Sequence, residues 1–342
     1  MSLRQSLSLI LLPVAFLTTA LPVWAHHNSS NIFDFASTTR IEGTLVRVEW
    51  TNPHVYLYLQ QRREDGGMDT WAVQAGGVGS MSRMGWSRDK FAIGTRFEFT
   101  GHPGQRGAPE MLLLSASLGQ ATRPTRVSSV DDQIVPDARA QGLGGTWWTL
   151  LDGPQSGLAF FPDDNKLTDK GVTARGTFDD TSEFPGLDCV PFIAPFSMLL
   201  ADLKHVRVTP DRLIITSEYD AEERTIWLEE APATETPSLH GHSVGRWLDE
   251  HTLEVRTDTY AQHRVGNGWA LPSGSQRSLL ERFALAKDGS RLTYSYTLSD
   301  PEFLQTDLDG TFVWTPRPDL ALMTTGCDLA SAKRYLRSAA VD

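Results

Sequence analysis

Basic residues are in short supply. Only 31 lysines and arginines stand against 42 aspartates and glutamates, a formal net charge of −11, and those present form no basic stripe. Such a chain repels a phosphate backbone and an anionic lipid surface, so nucleic acid is not expected as a partner. Long apolar runs are equally scarce. After residue 17 nothing approaches the roughly 20 residues that cross a bilayer, so no membrane insertion is expected. Cysteine is nearly absent: Cys189 and Cys327 are the only two, which excludes a cysteine-rich scaffold and any C-x-x-C site. There is no H-E-x-x-H, no P-loop and no G-x-G-x-x-G that opens a helix after a strand. No long amphipathic helical pattern appears before the C-terminus, which leaves an all-β class.

What is present begins at the start of the chain. Arg4 is the only charge ahead of an apolar run from Leu7 to Leu17, and small residues follow at Thr18 to Ala20 and again at Val23 and Ala25, on either side of Trp24. Residues 1–25 read as a secretory signal peptide cleaved after Ala25, with Ala20 as the alternative; the run is too short for a membrane anchor. The mature chain is then expected in the periplasm or secreted. In that oxidising setting Cys189 and Cys327 are expected to form a disulfide, the alternative being two separate buried thiols. Closing so long a loop is worth up to about 5 kcal/mol.

Strand alternation places Val46, Val48 and Trp50 on one face, then Val55, Leu57 and Leu59 opposite Tyr56 and Tyr58, with a third strand from Trp71 to Ala75. Residues 78–90 read as a short helix or two turns. A fourth strand follows through Phe97 and Phe99, and a fifth from Met111 to Ser117. Three strands, a helix and two strands is the order of an OB-like five-stranded barrel, assigned to residues 26–120. Residues 121–144 read as a linker. Residues 145–342 carry strands at 146–150, 206–209, 213–219, 225–229, 243–247, 252–259, 278–284, 292–298 and 311–315, and a short C-terminal helix. A meander this long closes on itself to remove its edges. Gly145-Thr146-Trp147 resembles the Gly-x-Trp that opens lipocalins, so a calycin-like antiparallel β-barrel is expected.

Ala25-His26-His27, Trp50-Thr51-Asn52-Pro53-His54 and Gly85-Trp86 resemble an exported bacterial family of unknown function. Gly241 to Trp247 (GHSVGRW), Thr252-Leu253, Glu281-Arg282-Phe283 and Asp300-Pro301 resemble a second uncharacterised exported domain. Neither resemblance implies an activity. Where relatives of the second continue with Glu-Gly-Asp and Val-Asp-Thr, this chain has Leu248-Asp249-Glu250 and Arg256-Thr257-Asp258, so a shared pocket would differ.

Gly241-His242-Ser243-Val244-Gly245 matches the G-x-S-x-G elbow of serine esterases, which needs a strand before the serine and a helix after it. Here a Pro- and Thr-rich stretch precedes and a strand follows. Read as a strand, it puts His242 and Arg246 on one face and Ser243 on the other. In a barrel with a lumen, His242 and Arg246 would orient the polar group of a ligand. The alternative is that they point outward, or that Arg246 pairs with Glu254 or Glu281. For catalysis the candidates are His242, Ser243, Asp258 and Glu281, as an esterase or as an isomerase or hydratase. His26 and His27, with the terminal amine and either His54 or His102, would make a copper chelate; the alternative is a flexible terminus. No other cofactor is expected. Tyr56 and Tyr58 suit a sugar or an interface, and the acidic groups Asp163-Asp164 and 179–183 read as solvated loops. The expectation drawn from all this is a protein that binds a small, partly apolar ligand in its C-terminal barrel, with an enzyme in the same pocket as the alternative.

Overall fold

The computed structural model describes residues 32–105, 107–118, 125–126, 137–150, 161–179, 182–200, 202–228, 232 and 234–334. They form two closed barrels, the first of five strands and the second of nine. The first contains β1 (Thr39–Glu49), β2 (Tyr56–Arg62), β3 (Met68–Gln74), β4 (Arg96–Pro103) and β5 (Glu110–Leu118), with helix α1 (Val78–Arg83) between β3 and β4. This is the expected OB-like order. Leu57, Leu59, Phe97 and Phe99 point inward in the expected phase. β1 departs from it: a bulge between Leu45 and Arg47 resets the alternation, so Ile41 and Leu45, then Val48 and Trp50, meet the core. A two-residue strand, β6 (Thr125–Arg126), adds to the edge of β5.

The second barrel contains β7 (Gly145–Leu150), β8 (Leu203–Val208), β9 (Arg212–Ser217), β10 (Glu223–Leu228), β11 (His242–Trp247), β12 (Thr252–Asp258), β13 (Ser278–Leu285), β14 (Leu292–Ser299) and β15 (Leu308–Pro316). Every strand expected from the sequence is there. A ring with an odd number of strands cannot be antiparallel at every seam, so each barrel has one parallel seam, β3–β5 in the first and β10–β11 in the second. A parallel pair cannot be joined by a tight hairpin. β10 ends at Leu228 and β11 starts at His242, so the Pro- and Thr-rich sequence falls between two parallel strands and not in a hairpin.

The connection between β7 and β8 carries α2 (Asp169–Thr177), whose first turn is capped by the Thr168 hydroxyl accepting from the Gly171 amide at 3.1 Å. It then enters the barrel. Residues 191–200 (PFIAPFSMLL) are buried at every position, and α3 (Phe196–Leu199) is their single helical turn. The Met198 carbonyl accepts from Trp314 Nε1 at 3.1 Å and from the Thr149 hydroxyl at 3.3 Å. Phe192, Phe196 and Leu199 pack with Trp147, Phe283 and Trp314 into one core. An apolar run without a period fits neither a half-buried strand nor an amphipathic helix. It is a plug, and it fills the space a lipocalin leaves open.

After β15 the chain crosses to the first barrel. The disulfide Cys189–Cys327, expected from the sequence, ties this tail to the segment that leads into the plug, closing a separation of 138 residues. Asn52 holds the tail from the other side and joins it to α1. Its carbonyl accepts from the Asp328 amide at 2.8 Å, its Nδ2 donates to the Thr325 carbonyl at 2.8 Å, and its Oδ1 accepts from the Val78 amide at 2.9 Å. The Ser331 hydroxyl donates to the His54 carbonyl at 3.2 Å, and the Arg334 guanidinium lies 4.9 Å over Tyr56 and 5.3 Å over Tyr58. The strand-2 face on which OB-folds commonly bind ligands is thus covered by the chain's own tail. The short helix of the tail is α4 (Leu329–Ala332).

A buried ion pair completes the contact: Arg83 Nη1 of α1 donates to Glu218 Oε2 at 2.6 Å, and Glu218 Oε1 also accepts from the Met323 amide at 2.8 Å. Gly79 permits this approach, since a Cβ there would sit 2.6 Å from the Glu218 carboxylate. Breaking a buried pair leaves an uncompensated charge, so Arg83→Met is expected to cost about 3 kcal/mol. Arg83→Met with Glu218→Met should recover most of that loss in urea unfolding followed by tryptophan fluorescence. The Cys189→Ser/Cys327→Ser double variant is expected to lose its C-terminal tail faster under limited proteolysis, with fragment masses showing cuts between 317 and 334.

Candidate functional site

Across the middle of the second barrel runs a belt of polar side chains, one from each of five successive strands. Arg224 (β10) donates through Nη1 to Glu281 Oε1 at 2.7 Å and through Nη2 to Glu281 Oε2 at 2.5 Å, a bidentate pair. Nη2 also reaches the hydroxyls of Ser243 (β11) at 3.1 Å and Thr257 (β12) at 2.9 Å, which are 2.9 Å apart. The Tyr294 hydroxyl (β14) donates to Glu281 Oε1 of β13 at 2.9 Å. All five side chains are buried. Buried polar groups are tolerated when they satisfy one another, and a closed set of this kind holds strands in register. Burial also pushes the Tyr294 hydroxyl pKa well above its ordinary range.

One end of the barrel differs. Here the parallel seam opens, and residues 259–277 fold over the mouth. The chain leading into β11 is pinned to them: the Ser238 amide donates to the Thr259 carbonyl at 3.1 Å and the Ala261 amide to the Ser238 carbonyl at 2.7 Å. Gly241, at φ +67°, lets the two approach, because a Cβ would lie 2.6 Å from the Asp258 carbonyl oxygen. Beneath this cover sits Arg277, 1% exposed. Its Nε donates to Asn267 Oδ1 at 3.3 Å and its Nη2 to the Ala194 carbonyl of the plug at 2.5 Å, and its guanidinium stacks 4.1 Å from the Tyr260 ring. Every one of these acceptors is neutral. Asp300 is one step removed, taking its proton donors from Asn267 Nδ2 at 2.6 Å and the Gly274 amide at 2.7 Å. Among the described residues, Arg277 Nη1, Arg224 Nε and the Tyr260 hydroxyl find no hydrogen-bond partner although all three atoms are buried.

Two histidines border the same space. His240 Nε2 lies 3.5 Å from Glu222 Oε2 at the rim. Burial, and then the Arg224 charge, holds the His240 pKa below its ordinary value, against the pull of Glu222. His263 donates from Nε2 to the Pro191 carbonyl at 3.0 Å and accepts at Nδ1 from the Val265 amide at 3.1 Å, the pattern of a neutral ring. Burial, with smaller contributions from Arg277 and Arg264, pushes it down to about 4. Outward from the loop, Trp269 packs on Phe184 at 5.0 Å between ring centres and on the half-exposed Phe161 at 6.3 Å. An aromatic strip thus runs from the surface towards the plug.

The residues singled out in the sequence fall on two sides of the wall. Ser243 and Glu281 face inward and belong to the belt. His242, Arg246 and Asp258 face outward; Arg246, its side chain 76% exposed, sits 3.7 Å from Glu254. The lumen position considered for His242 and Arg246 is replaced by the outward one, because Gly245 must point inward. Its missing Cβ makes room for Ile226, Leu228 and Leu253, each within 3.2 Å of where that atom would be. No esterase elbow forms: Ser243 lies within a strand, bonded to Arg224 and Thr257. His26 and His27 lie outside the described residues. His102 Nδ1 is 2.7 Å from the Ser37 carbonyl and His54 packs near Tyr56. Among the described residues no three His, Cys, Asp or Glu side chains are grouped to hold a metal, and no helix is long and apolar enough to cross a membrane. Sequence reading passed over Arg224, Tyr260 and Arg277. For Arg224 and Arg277 the available signal was a place at a strand end, facing inward by alternation; for Tyr260 there was none, because the left-handed Thr259 breaks the alternation of β12.

With His263 at about 4 in the folded chain and near 6.5 when unfolded, the unfolded state binds the extra proton. The stabilisation from keeping this ring neutral is complete above pH 6.5 and is lost as pH falls towards 4, by about 3 kcal/mol. His263→Gln is expected to flatten this part of the stability profile when denaturant midpoints are compared between pH 7 and pH 4.

No curated protein matches the chain. Residues 15–112 match a family of unknown function, DUF6152, a stretch that takes in Asn52, α1 and the first barrel as far as the start of β5.

Proposed function

We propose that the protein is exported to the periplasm after removal of residues 1–25, and that there it binds a small, partly apolar ligand at the covered end of its second barrel. The observation that supports this most is a set of three buried polar atoms without partners among the described residues, Arg277 Nη1, Arg224 Nε and the Tyr260 hydroxyl, on side chains of which Arg277 and Tyr260 stack 4.1 Å apart. A buried polar group left unpaired costs about 1–3 kcal/mol, and more when charged. A fold that bears this cost three times at one place gains from a molecule that supplies the missing acceptors. Trp269, Phe184 and Phe161 provide the apolar contact for the rest of that molecule.

Native mass spectrometry of the protein purified from the periplasm, before and after denaturation, tests the reading. The expected result is a folded mass above that of the cleaved chain by one small organic molecule, released on unfolding. A folded mass equal to that of the bare chain would count against it.

A further inference from the structure

Resting on that reading, we infer that the ligand is a carboxylic acid with an apolar chain, its carboxylate held between Arg277 and Tyr260. Arg277 is a full charge, 1% exposed, and its direct acceptors are an amide and a peptide carbonyl. A guanidinium removed from water is normally matched by a carboxylate or phosphate, as Arg224 is by Glu281 in the same interior. Arg277 has no such partner among the described residues. The groups around it set the sign of what is missing. Two guanidinium nitrogens and a phenol hydroxyl stand unpartnered, and both histidines are biased towards their neutral forms by burial and by these same arginines. A cationic ligand would be repelled. A neutral alcohol would accept a hydrogen bond but leave the charge uncompensated. A phosphate brings more oxygens and more charge than three donors serve. A carboxylate matches, with one negative charge and two oxygens that accept from Arg277 Nη1, Arg224 Nε and the Tyr260 hydroxyl. Tyr260 also stacks on Arg277 at 4.1 Å, which holds the guanidinium plane in place with or without ligand. The aromatic strip from Phe184 through Trp269 to Phe161 takes the chain of the acid.

The test is a thermal-shift and calorimetric comparison of matched probes on the mature protein after ligand has been removed by partial unfolding and refolding: butanoate, octanoate and dodecanoate against the alcohols and amines of the same chain lengths, with inorganic phosphate as a chainless anion. At least one acid should raise Tm and bind, its alcohol at least tenfold more weakly, and the amines and phosphate not at all. Tyr260→Phe keeps the ring under Arg277 and removes one donor, and it should weaken the acid roughly tenfold while leaving the alcohol unchanged. Arg277→Met should abolish acid binding and, because it removes an uncompensated buried charge, leave the ligand-free Tm unchanged or raised. If acids and alcohols of equal length bind alike and Tyr260→Phe changes neither, the carboxylate assignment is overturned while the binding reading stands. If Arg277→Met folds with a lowered Tm and still binds the acid, Arg277 is only a structural pin and the assignment is likewise overturned. If no probe binds and no organic mass is retained in the native spectrum, both fall.

Discussion

Closure of a strand ring with an odd number of members forces one parallel seam, and much of this molecule follows from that parity. In the first barrel the seam joins β3 to β5, and the connection leaving β3 carries α1, which presents Arg83 and Gly79 to Glu218 of the second barrel. In the second, the seam joins β10 to β11, two strands consecutive in sequence that no tight hairpin can connect. The stretch leading into β11 delivers His240 beside Arg224 at the mouth and requires a glycine at position 241, where the chain turns in against the Asp258 carbonyl. Hairpins at every seam would have left no reason for a loop, a histidine and a rim carboxylate to gather there.

The interior of the second barrel is divided by the same geometry. It holds a polar belt around the Arg224–Glu281 pair and, beside it, the apolar plug at 191–200. The two fill a wide barrel in opposite ways, one by a polar network and the other by dry apolar packing. Where they meet, the plug offers only a backbone carbonyl, that of Ala194, to Arg277. The one buried guanidinium without a carboxylate among the described residues is found at that junction. A local departure from the rule that buried charges are paired marks the place in the fold most suited to a ligand.

The segment Trp50 to His54 shows how a motif can be visible before its purpose is. Its asparagine is the hub that joins α1, the tail and, through Asp328, the neighbourhood of the disulfide. Its two partners in the tail lie more than two hundred residues further along the chain, and nothing at positions 50 to 54 names them. The tail also decides what Tyr56 and Tyr58 do: under Arg334 they pack rather than present a stacking platform.

Local pattern determined a great deal. Alternation with a period of two located every strand of both barrels, because each strand has one face against a core and one against solvent or a neighbour. The two cysteines paired as expected. Tertiary structure decided three things that local pattern does not encode. The phase of β11, and so the outward direction of His242 and Arg246, was set by Ile226, Leu228 and Leu253 crowding Gly245. The fate of the apolar run at 191–200 depended on a ring of strands wide enough to receive it. The gathering of Arg224, Tyr260 and Arg277, which are separated in sequence, at one end of the barrel came from its closure, since a closed ring brings the ends of β10, β12 and β13 together.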